Sequence, residues 1–318
     1  MIILVPAQVH DEFAAEAAKI VPQAQLVSYA EDGPPPAELE QAEAVLRWVS
    51  GKRFSEMVEQ GPKVRWLHTA SAGVDHVLTR AVRAKRSLIV TDSGAAFTDS
   101  IPEFVIAWML MVGRRLPQLI AQQREHKWQW VPQEQLFGRT VGIIGLGPIG
   151  QGVAQRAKAL GMRVLGFRRH HAPVPSVDRV LTGPDGLSQL LQQSDYVVLA
   201  ASLTEETRAL IGPAQLDEMR PNAWIINIAR GGLIDEDALI DTLQNSKIGG
   251  ACLDVFAKEP LPSDSPLWDL PNVYIAPHNS SGGTPELRAK QKAVFFDNLK
   301  RFVRNQPLEG VVDIQRGY

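Results

Sequence analysis

Thr140-Val141-Gly142-Ile143-Ile144-Gly145-Leu146-Gly147-Pro148-Ile149-Gly150 decides how the rest of this 318-residue chain is read. A short apolar, β-branched run leads into Gly-x-Gly-x-x-Gly, and residues 151–160 carry a helical pattern. Alone, such a glycine pattern is often only a loop. Between a strand and a helix it predicts a dinucleotide site. Gly145 is expected to make the tight turn, Gly147 to let a pyrophosphate approach the backbone, and Gly150 to let the helix pack closely on the sheet. Pro148 suits the first helical turn, where a missing N–H is no loss. The other first-turn N–H groups and the helix dipole would face the phosphates.

The length exceeds that of a usual single core and predicts two domains. Hydrophobic residues make up 45% and charged residues 21%, as in ordinary globular chains. A net charge of −2 gives no reason to expect a nucleic-acid or anionic-membrane partner. The single cysteine, Cys252, excludes an internal disulfide, and its small, apolar surroundings (Gly249-Gly250-Ala251-Cys252-Leu253) read as a buried inert thiol. No uninterrupted apolar run reaches spanning length, and the first residues lack a basic lead and an apolar signal core. The expected location is cytoplasmic, with no membrane partner. No metal-ligand spacing is present, so no metal is expected.

Working outward, residues 2–5, 26–29, 44–49, 64–69 and 88–91 read as strands, with helices at 11–20, 36–41, 53–60 and 74–84. This alternation predicts a five-stranded parallel sheet covered on both faces. Trp48-Val49-Ser50-Gly51 and Ser71-Ala72-Gly73-Val74-Asp75 fall at strand ends. Residues 103–115 form a helix that is apolar nearly all round and must be buried, within the chain or against a second subunit. Trp128 and Trp130 are expected to pack. Six strands follow, at 141–144, 163–167, 196–200, 224–228, 250–253 and 273–276, with helices at 151–160, 186–192 and 235–245 and an expected order 3-2-1-4-5-6. A long amphipathic helix at 286–304 and a short tail are expected to return to the first domain. The fold class is therefore α/β, a Rossmann dinucleotide-binding domain (residues 99–283) inserted in a smaller flavodoxin-like doubly wound substrate domain (residues 1–98 plus 284–318).

Ligands of doubly wound sheets bind beyond the carboxyl ends of the strands. Arg230 follows the strand at 224–228, Glu259 the strand at 250–253, and His278 the strand at 273–276. Arg230 offers a rigid fork for a carboxylate. His278 exchanges a proton near neutrality, and Glu259 is the candidate partner that orients it. Each alone could be structural; three complementary groups on three strand ends predict a site where a carboxylate next to a carbonyl faces a nicotinamide.

These motifs resemble the D-isomer-specific 2-hydroxyacid dehydrogenase family. The resemblance runs from Ser71-Ala72-Gly73-Val74-Asp75 to Pro307-Leu308-Glu309-Gly310-Val311-Val312-Asp313. It is strongest in 138–150, Leu203-Thr204-Glu205-Glu206-Thr207-Arg208, 227–235, 253–260 and Pro277-His278. It implies a catalytic set of Arg230, Glu259 and His278, with His278 protonating the carbonyl oxygen and Arg230 holding the carboxylate. It also implies substrate contacts from the backbone N–H groups of Ala72 and Gly73. The substrate pocket is expected to draw on Trp48 and Val49 as well. Pro148 and Ile149 would meet the pyrophosphate; Ala201, Ser202, Ile228, Ala229 and Asp254 would surround the nicotinamide half. A homodimer through the dinucleotide-binding domain is implied as well.

Two departures matter. NAD-using members carry an acid at the end of the second nucleotide strand, where this chain has Arg168 and Arg169, residues suited to a 2′-phosphate. NADP is therefore the expected cofactor, with NAD possible. Ser202 replaces the proline common at its position. The expectation is an NADPH-preferring reductase of a small 2-ketoacid, most like the glyoxylate and hydroxypyruvate reductases, giving the D-2-hydroxyacid. The alternatives are a nucleotide-sensing recruitment protein on the same fold and a phosphoglycerate-type NAD-dependent dehydrogenase.

Overall fold

Five short strands pair as a parallel sheet early in the chain: β1 (Ile2–Pro6), β2 (Gln25–Tyr29), β3 (Ala42–Arg47), β4 (Trp66–Thr69) and β5 (Ile89–Thr91), in the order β2-β1-β3-β4-β5. The computed structural model describes residues 1–48 and 51–318; Val49 and Ser50 lie outside the described residues. This sheet belongs to a unit made of Met1–Phe97 and Gly283–Tyr318. Helices His10–Ile20 and Pro285–Val303 bury Phe13, Phe295, Phe296 and Phe302 around Trp66 on one face. Phe54, Met57, Val58, Val77 and Val82 cover the other. Covering both faces is what allows the inner strand β1 to be apolar throughout.

Two helices expected here are shorter than their patterns. Residues 36–41 form only the 3-10 turn Ala37–Gln41. Residues 74–84 are α-helical only over Arg80–Ala84, because the Thr79 hydroxyl accepts from Val82 N at 3.4 Å and caps the helix there.

The second unit, Thr98–Gly282, holds β6 (Thr140–Ile144), β7 (Arg163–Phe167), β8 (Arg179–Leu181), β9 (Tyr196–Leu199), β10 (Trp224–Asn227), β11 (Gly250–Leu253) and β12 (Val273–Ile275). Its parallel order is β12-β11-β10-β9-β6-β7-β8, seven strands where six were expected. The additional strand is β8, an edge strand of three residues whose single buried pair, Val180 and Leu181, is too short to show a period. The segment at 196–199 is thus the fourth strand and pairs with β6, not the third strand beyond β7. The strand order reverses between β6 and β9, which is where a doubly wound sheet opens its crevice.

Helix Ser100–Gly113 buries Ile101, Val105, Trp108, Met109 and Val112, and at Gly152 a Cβ would lie 2.7 Å from both Pro102 and the Thr98 carbonyl. One face is buried within the chain; Leu110 on the other is exposed there, which leaves that face to the second alternative, a partner subunit. Trp128 and Trp130 do not pack: they are 103% and 85% exposed. Leu119 and Val131 line the same surface, but most of the residues beside the rings are polar (Gln122, Gln123, His126, Lys127, Gln129), and among the described residues none covers them. The stretch Gly94–Gly113 is long and apolar enough to cross a membrane by composition, contrary to the reading from uninterrupted runs. It is folded as a 3-10 turn, Gly94–Phe97, followed by the half-buried helix.

Candidate active site

The chain leaves β6 through Gly145, whose φ of +98° belongs to the region that favours glycine. A Cβ there would sit 2.5 Å from Ala201 N and 2.6 Å from the Ala200 carbonyl, so the loop lies directly on the backbone that follows β9. At Gly150 a Cβ would run into the Gly145 carbonyl oxygen. Gly147 differs: nothing lies within 4 Å of its missing Cβ. It caps helix Pro148–Ala159, in whose first turn Ile149 and Gly150 carry N–H groups that the helix cannot satisfy. Open space over a glycine beside unpaired N–H groups and a helix N-terminus suits a pyrophosphate. Beyond β7, Arg168 N donates to Leu181 O at 3.1 Å, and Arg169 forms an ion pair with Glu206. Beyond β9, Ala201 flanks Gly145 and the Ser202 carbonyl accepts from Thr207 Oγ1 at 2.7 Å.

The turn after β10 is built by Asn227, which is buried at the strand end. Its Oδ1 accepts from Ala229 N at 3.1 Å and its Nδ2 donates to Arg230 O at 2.9 Å. Arg230 Nη1 donates to Ala229 O at 2.7 Å, and Ile228 is buried beneath. A Cβ on Gly231 would collide with the Phe256 carbonyl, so the arginine turn rests on the loop that follows β11. Glu236 ties the same loops by accepting from Ala257 N at 2.9 Å.

Glu259 ends that loop with both oxygens engaged. Oε1 accepts from Phe256 N at 3.1 Å, and Oε2 lies 2.7 Å from His278 Nδ1. An ionised carboxylate only accepts, which places the imidazole hydrogen on Nδ1 and leaves Nε2 on the far side of the ring. His278 is 49% exposed and has φ 55°, uncommon for a residue with a side chain. Asp254 holds it there: its carbonyl accepts from His278 N at 2.9 Å, and its buried carboxylate accepts from Asn279 N at 2.8 Å and Ser280 N at 3.0 Å. The structure thus laces the arginine, glutamate and histidine loops together within one unit.

Ala72 and Gly73 lie in the other unit, in the loop after β4, and their N–H groups meet no protein acceptor among the described residues. Trp48 stacks edge-on against Phe13, with ring centroids 4.8 Å apart. Two other reactive side chains are removed from proton or thiolate chemistry by burial. His68, bonded to Thr91 and Ser93, has its pKa pushed down to about 3, and the Cys252 thiol is pushed up. No cluster of His, Cys, Asp and Glu able to hold a metal occurs among the described residues. Sequence reasoning missed Asn227 as the support of the arginine turn and the tethering role of Asp254. A polar side chain closing an apolar strand was the available signal for both.

Residues 106–280 match the sequence model of the D-isomer specific 2-hydroxyacid dehydrogenase NAD binding domain. Glyoxylate/hydroxypyruvate reductase B of Pectobacterium atrosepticum is 38% identical over 272 residues, covering 83% of this chain and 84% of that protein. D-3-phosphoglycerate dehydrogenase of Methanocaldococcus jannaschii is 35% identical over 261 residues; the match covers 81% of this chain but 49% of that protein, about half its length. A crystal structure of a D-isomer specific 2-hydroxyacid dehydrogenase from Xanthobacter autotrophicus Py2, in complex with NADPH and MES, matches with a TM-score of 0.87 and 29% identity, covering 100% of this chain and 99% of that one. A family model spanning more than half of the chain, and relatives matched over most of it, agree with the strand-end geometry: the chain belongs to the D-isomer specific 2-hydroxyacid dehydrogenases, a family of NAD(P)-dependent oxidoreductases.

Proposed function

We propose that this protein reduces a small 2-ketoacid of the glyoxylate or hydroxypyruvate type to the D-2-hydroxyacid, with NADPH preferred over NADH. The observation that carries the reading is the 2.7 Å contact between Glu259 Oε2 and His278 Nδ1, at the same carboxyl-end rim of the parallel sheet as the glycine loop. A bound nicotinamide supplies the hydride to the carbonyl carbon. His278 gives the proton on its Nε2 to the carbonyl oxygen, Glu259 stabilises the charged ring, and solvent returns the proton. Arg230 takes the substrate carboxylate through its planar fork, and the Ala72 and Gly73 N–H groups take its remaining lone pairs. Gly145, Gly147, Pro148 and Ile149 hold the pyrophosphate; Ala201, Ser202, Ile228, Ala229 and Asp254 flank the nicotinamide half.

Arg168 and Arg169 support the NADPH preference, since two guanidinium groups at the end of the second strand attract a 2′-phosphate. The Xanthobacter relative in complex with NADPH, and the Pectobacterium relative named as a glyoxylate/hydroxypyruvate reductase, point the same way. Steady-state oxidation of NADPH and of NADH with glyoxylate and hydroxypyruvate tests the whole reading. No turnover of either ketoacid overturns the substrate class, and a higher kcat/KM for NADH overturns the cofactor preference.

The exposed apolar residues Leu110, Leu116, Ile120, Trp128, Trp130 and Phe137 all belong to the dinucleotide-binding unit. Trp128 and Trp130, nearly fully exposed in that unit, are large aromatic surfaces of the kind that interfaces cover and support a homodimer formed through it. A free, buried cysteine suits the reducing cytoplasm.

A further inference from the structure

Arg47 closes β3 and is only 9% exposed. Among the described residues its Nε has no hydrogen-bond partner, its Nη1 donates to Thr69 Oγ1 at 3.3 Å, and its guanidinium lies 5.4 Å from the centre of the Phe54 ring. Burial lowers its pKa, yet an arginine keeps its charge in a folded protein. A buried cation with an unsatisfied nitrogen is costly. Tyr29, Glu31 and Asp75 oppose that cost electrostatically, and the register of β3 with β4 is carried by backbone bonds, so strand pairing does not depend on the guanidinium.

Counting protons along the neighbouring hydroxyls shows where the charge acts. Ser71 Oγ lies 2.9 Å from the Gly73 carbonyl, which can only accept, so the single Ser71 hydroxyl proton goes there. In its 2.9 Å contact with Thr69 Oγ1, Ser71 must therefore accept and Thr69 donate. Thr69 Oγ1 is left to accept from Arg47 Nη1 and, at 3.4 Å, from Ser71 N. His76 Nε2, 3.5 Å from Ser71 Oγ, is restricted to donating. The chain runs one way, from Arg47 through Thr69 and Ser71 to the Gly73 carbonyl, each bond polarised by the one before it. Its last bond sets the plane of the Gly73–Val74 peptide in a loop whose Ala72 and Gly73 N–H groups have no protein acceptor among the described residues.

We propose that Arg47 is a positioning residue for the substrate: through the Thr69 and Ser71 hydroxyls it holds the 71–74 loop so that the Ala72 and Gly73 N–H groups stay aimed at the 2-ketoacid carboxylate. This rests on the reading that those N–H groups bind substrate. The charge never touches the ketoacid; it sets the loop that does.

The test uses the full-length enzyme with NADPH and glyoxylate, comparing Arg47→Met, Arg47→Lys, Thr69→Val and Ser71→Ala. Arg47→Met, Thr69→Val and Ser71→Ala should each raise KM for glyoxylate roughly 5- to 20-fold, while kcat and the NADPH Kd change less than about 3-fold. Arg47→Lys should recover most of the loss. Combining Arg47→Met with Ser71→Ala should add little, because one chain is being cut twice. Thr69→Val changes neither size nor charge and carries the test if Arg47→Met fails to fold. Variants that lose Tm with no selective rise in KM, or a Thr69→Val enzyme with wild-type KM, overturn the proposal. Amide spectra separate the two layers. In the NADP-loaded wild type, oxamate, a non-reducible ketoacid isostere, should shift the Ala72 and Gly73 N–H signals. Unmoved signals overturn substrate binding by this loop; signals that move equally in wild type and Thr69→Val overturn only the role of Arg47.

Discussion

Glu259 Oε2 lies 2.7 Å from His278 Nδ1 while its other oxygen accepts the Phe256 N–H, so the carboxylate cannot turn away from the ring without losing a backbone bond. The histidine is thereby oriented before any substrate arrives. His278→Ala should lower kcat by roughly 10²- to 10⁴-fold, the span general acid–base catalysis supplies, with the NADPH Kd nearly unchanged. Glu259→Gln keeps the shape and removes the charge, and should lower kcat with little effect on KM. Single-turnover and fluorescence-binding measurements read both; wild-type turnover in His278→Ala removes it as the proton donor.

The loop glycines give a paired experiment. Open space surrounds the missing Cβ of Gly147, whereas a Cβ at Gly150 meets the Gly145 carbonyl. Gly147→Ala should keep the wild-type Tm and weaken NADPH binding about tenfold or more, because the added methyl occupies the phosphate's space. Gly150→Ala should unfold earlier, losing about 1–3 kcal/mol as overpacked cores do. If Gly147→Ala binds NADPH normally, the pyrophosphate does not lie over this glycine.

Arg168→Ala and Arg169→Ala should each raise KM for NADPH roughly 10- to 100-fold, the scale of a charge-assisted hydrogen bond, and leave KM for NADH within about 3-fold. Arg169 already pairs with Glu206. Glu206→Gln should therefore lower KM for NADPH, since the phosphate no longer competes with a carboxylate. Equal effects on both cofactors would show that the arginines serve the fold instead.

Asp92 yields a prediction about pH. Burial raises its pKa to about 6, opposed by the Gly94 N–H that donates to Oδ1 at 2.7 Å. In the unfolded chain the group titrates near ~3.9. Between those values the folded protein keeps a proton that the unfolded chain has released, so stability falls as pH rises from about 4 to about 6. Asp92→Asn keeps the acceptor and abolishes the charge. It should stabilise the protein by about 3 kcal/mol at pH 7.5, at ~1.4 kcal/mol per unit, and by nothing near pH 4. Urea melts at the two pH values check this; a variant no more stable at pH 7.5 rejects it.

The exposed rings at Trp128 and Trp130 bear on assembly. The wild-type protein should sediment at twice the chain mass, and replacing both tryptophans with serine should shift it toward the monomer. A monomeric wild type rules out the dimer.

Much of the fold was legible because its signals are local. Gly145, Gly147 and Gly150 mark a strand–turn–helix within a few residues, and counting onward from them reached Arg230, Glu259 and His278. What was illegible depended on partners distant in the chain. Val180 and Leu181 form a strand only because β7 offers them a ladder, and that edge strand changes the rank of every later one. The aromatic residues near 128–130 looked like core because aromatic side chains usually are, yet no described segment covers them. Arg47, Thr69 and Ser71 come from β3, β4 and the loop beyond it, and only the folded sheet shows that their protons run one way.

The discontinuity of the first unit has a consequence for synthesis. Phe13 and Trp66 are sealed by Phe295, Phe296 and Phe302 from the helix Pro285–Val303. As the chain emerges from the ribosome, residues 98–282 are complete while the earlier sheet still lacks its covering helix. The dinucleotide-binding unit finishes first although it begins second, and the nascent sheet carries bare aromatic surface for nearly two hundred codons. A chain released at residue 282 therefore presents that surface permanently, making it a target for chaperones and proteases rather than a smaller working enzyme.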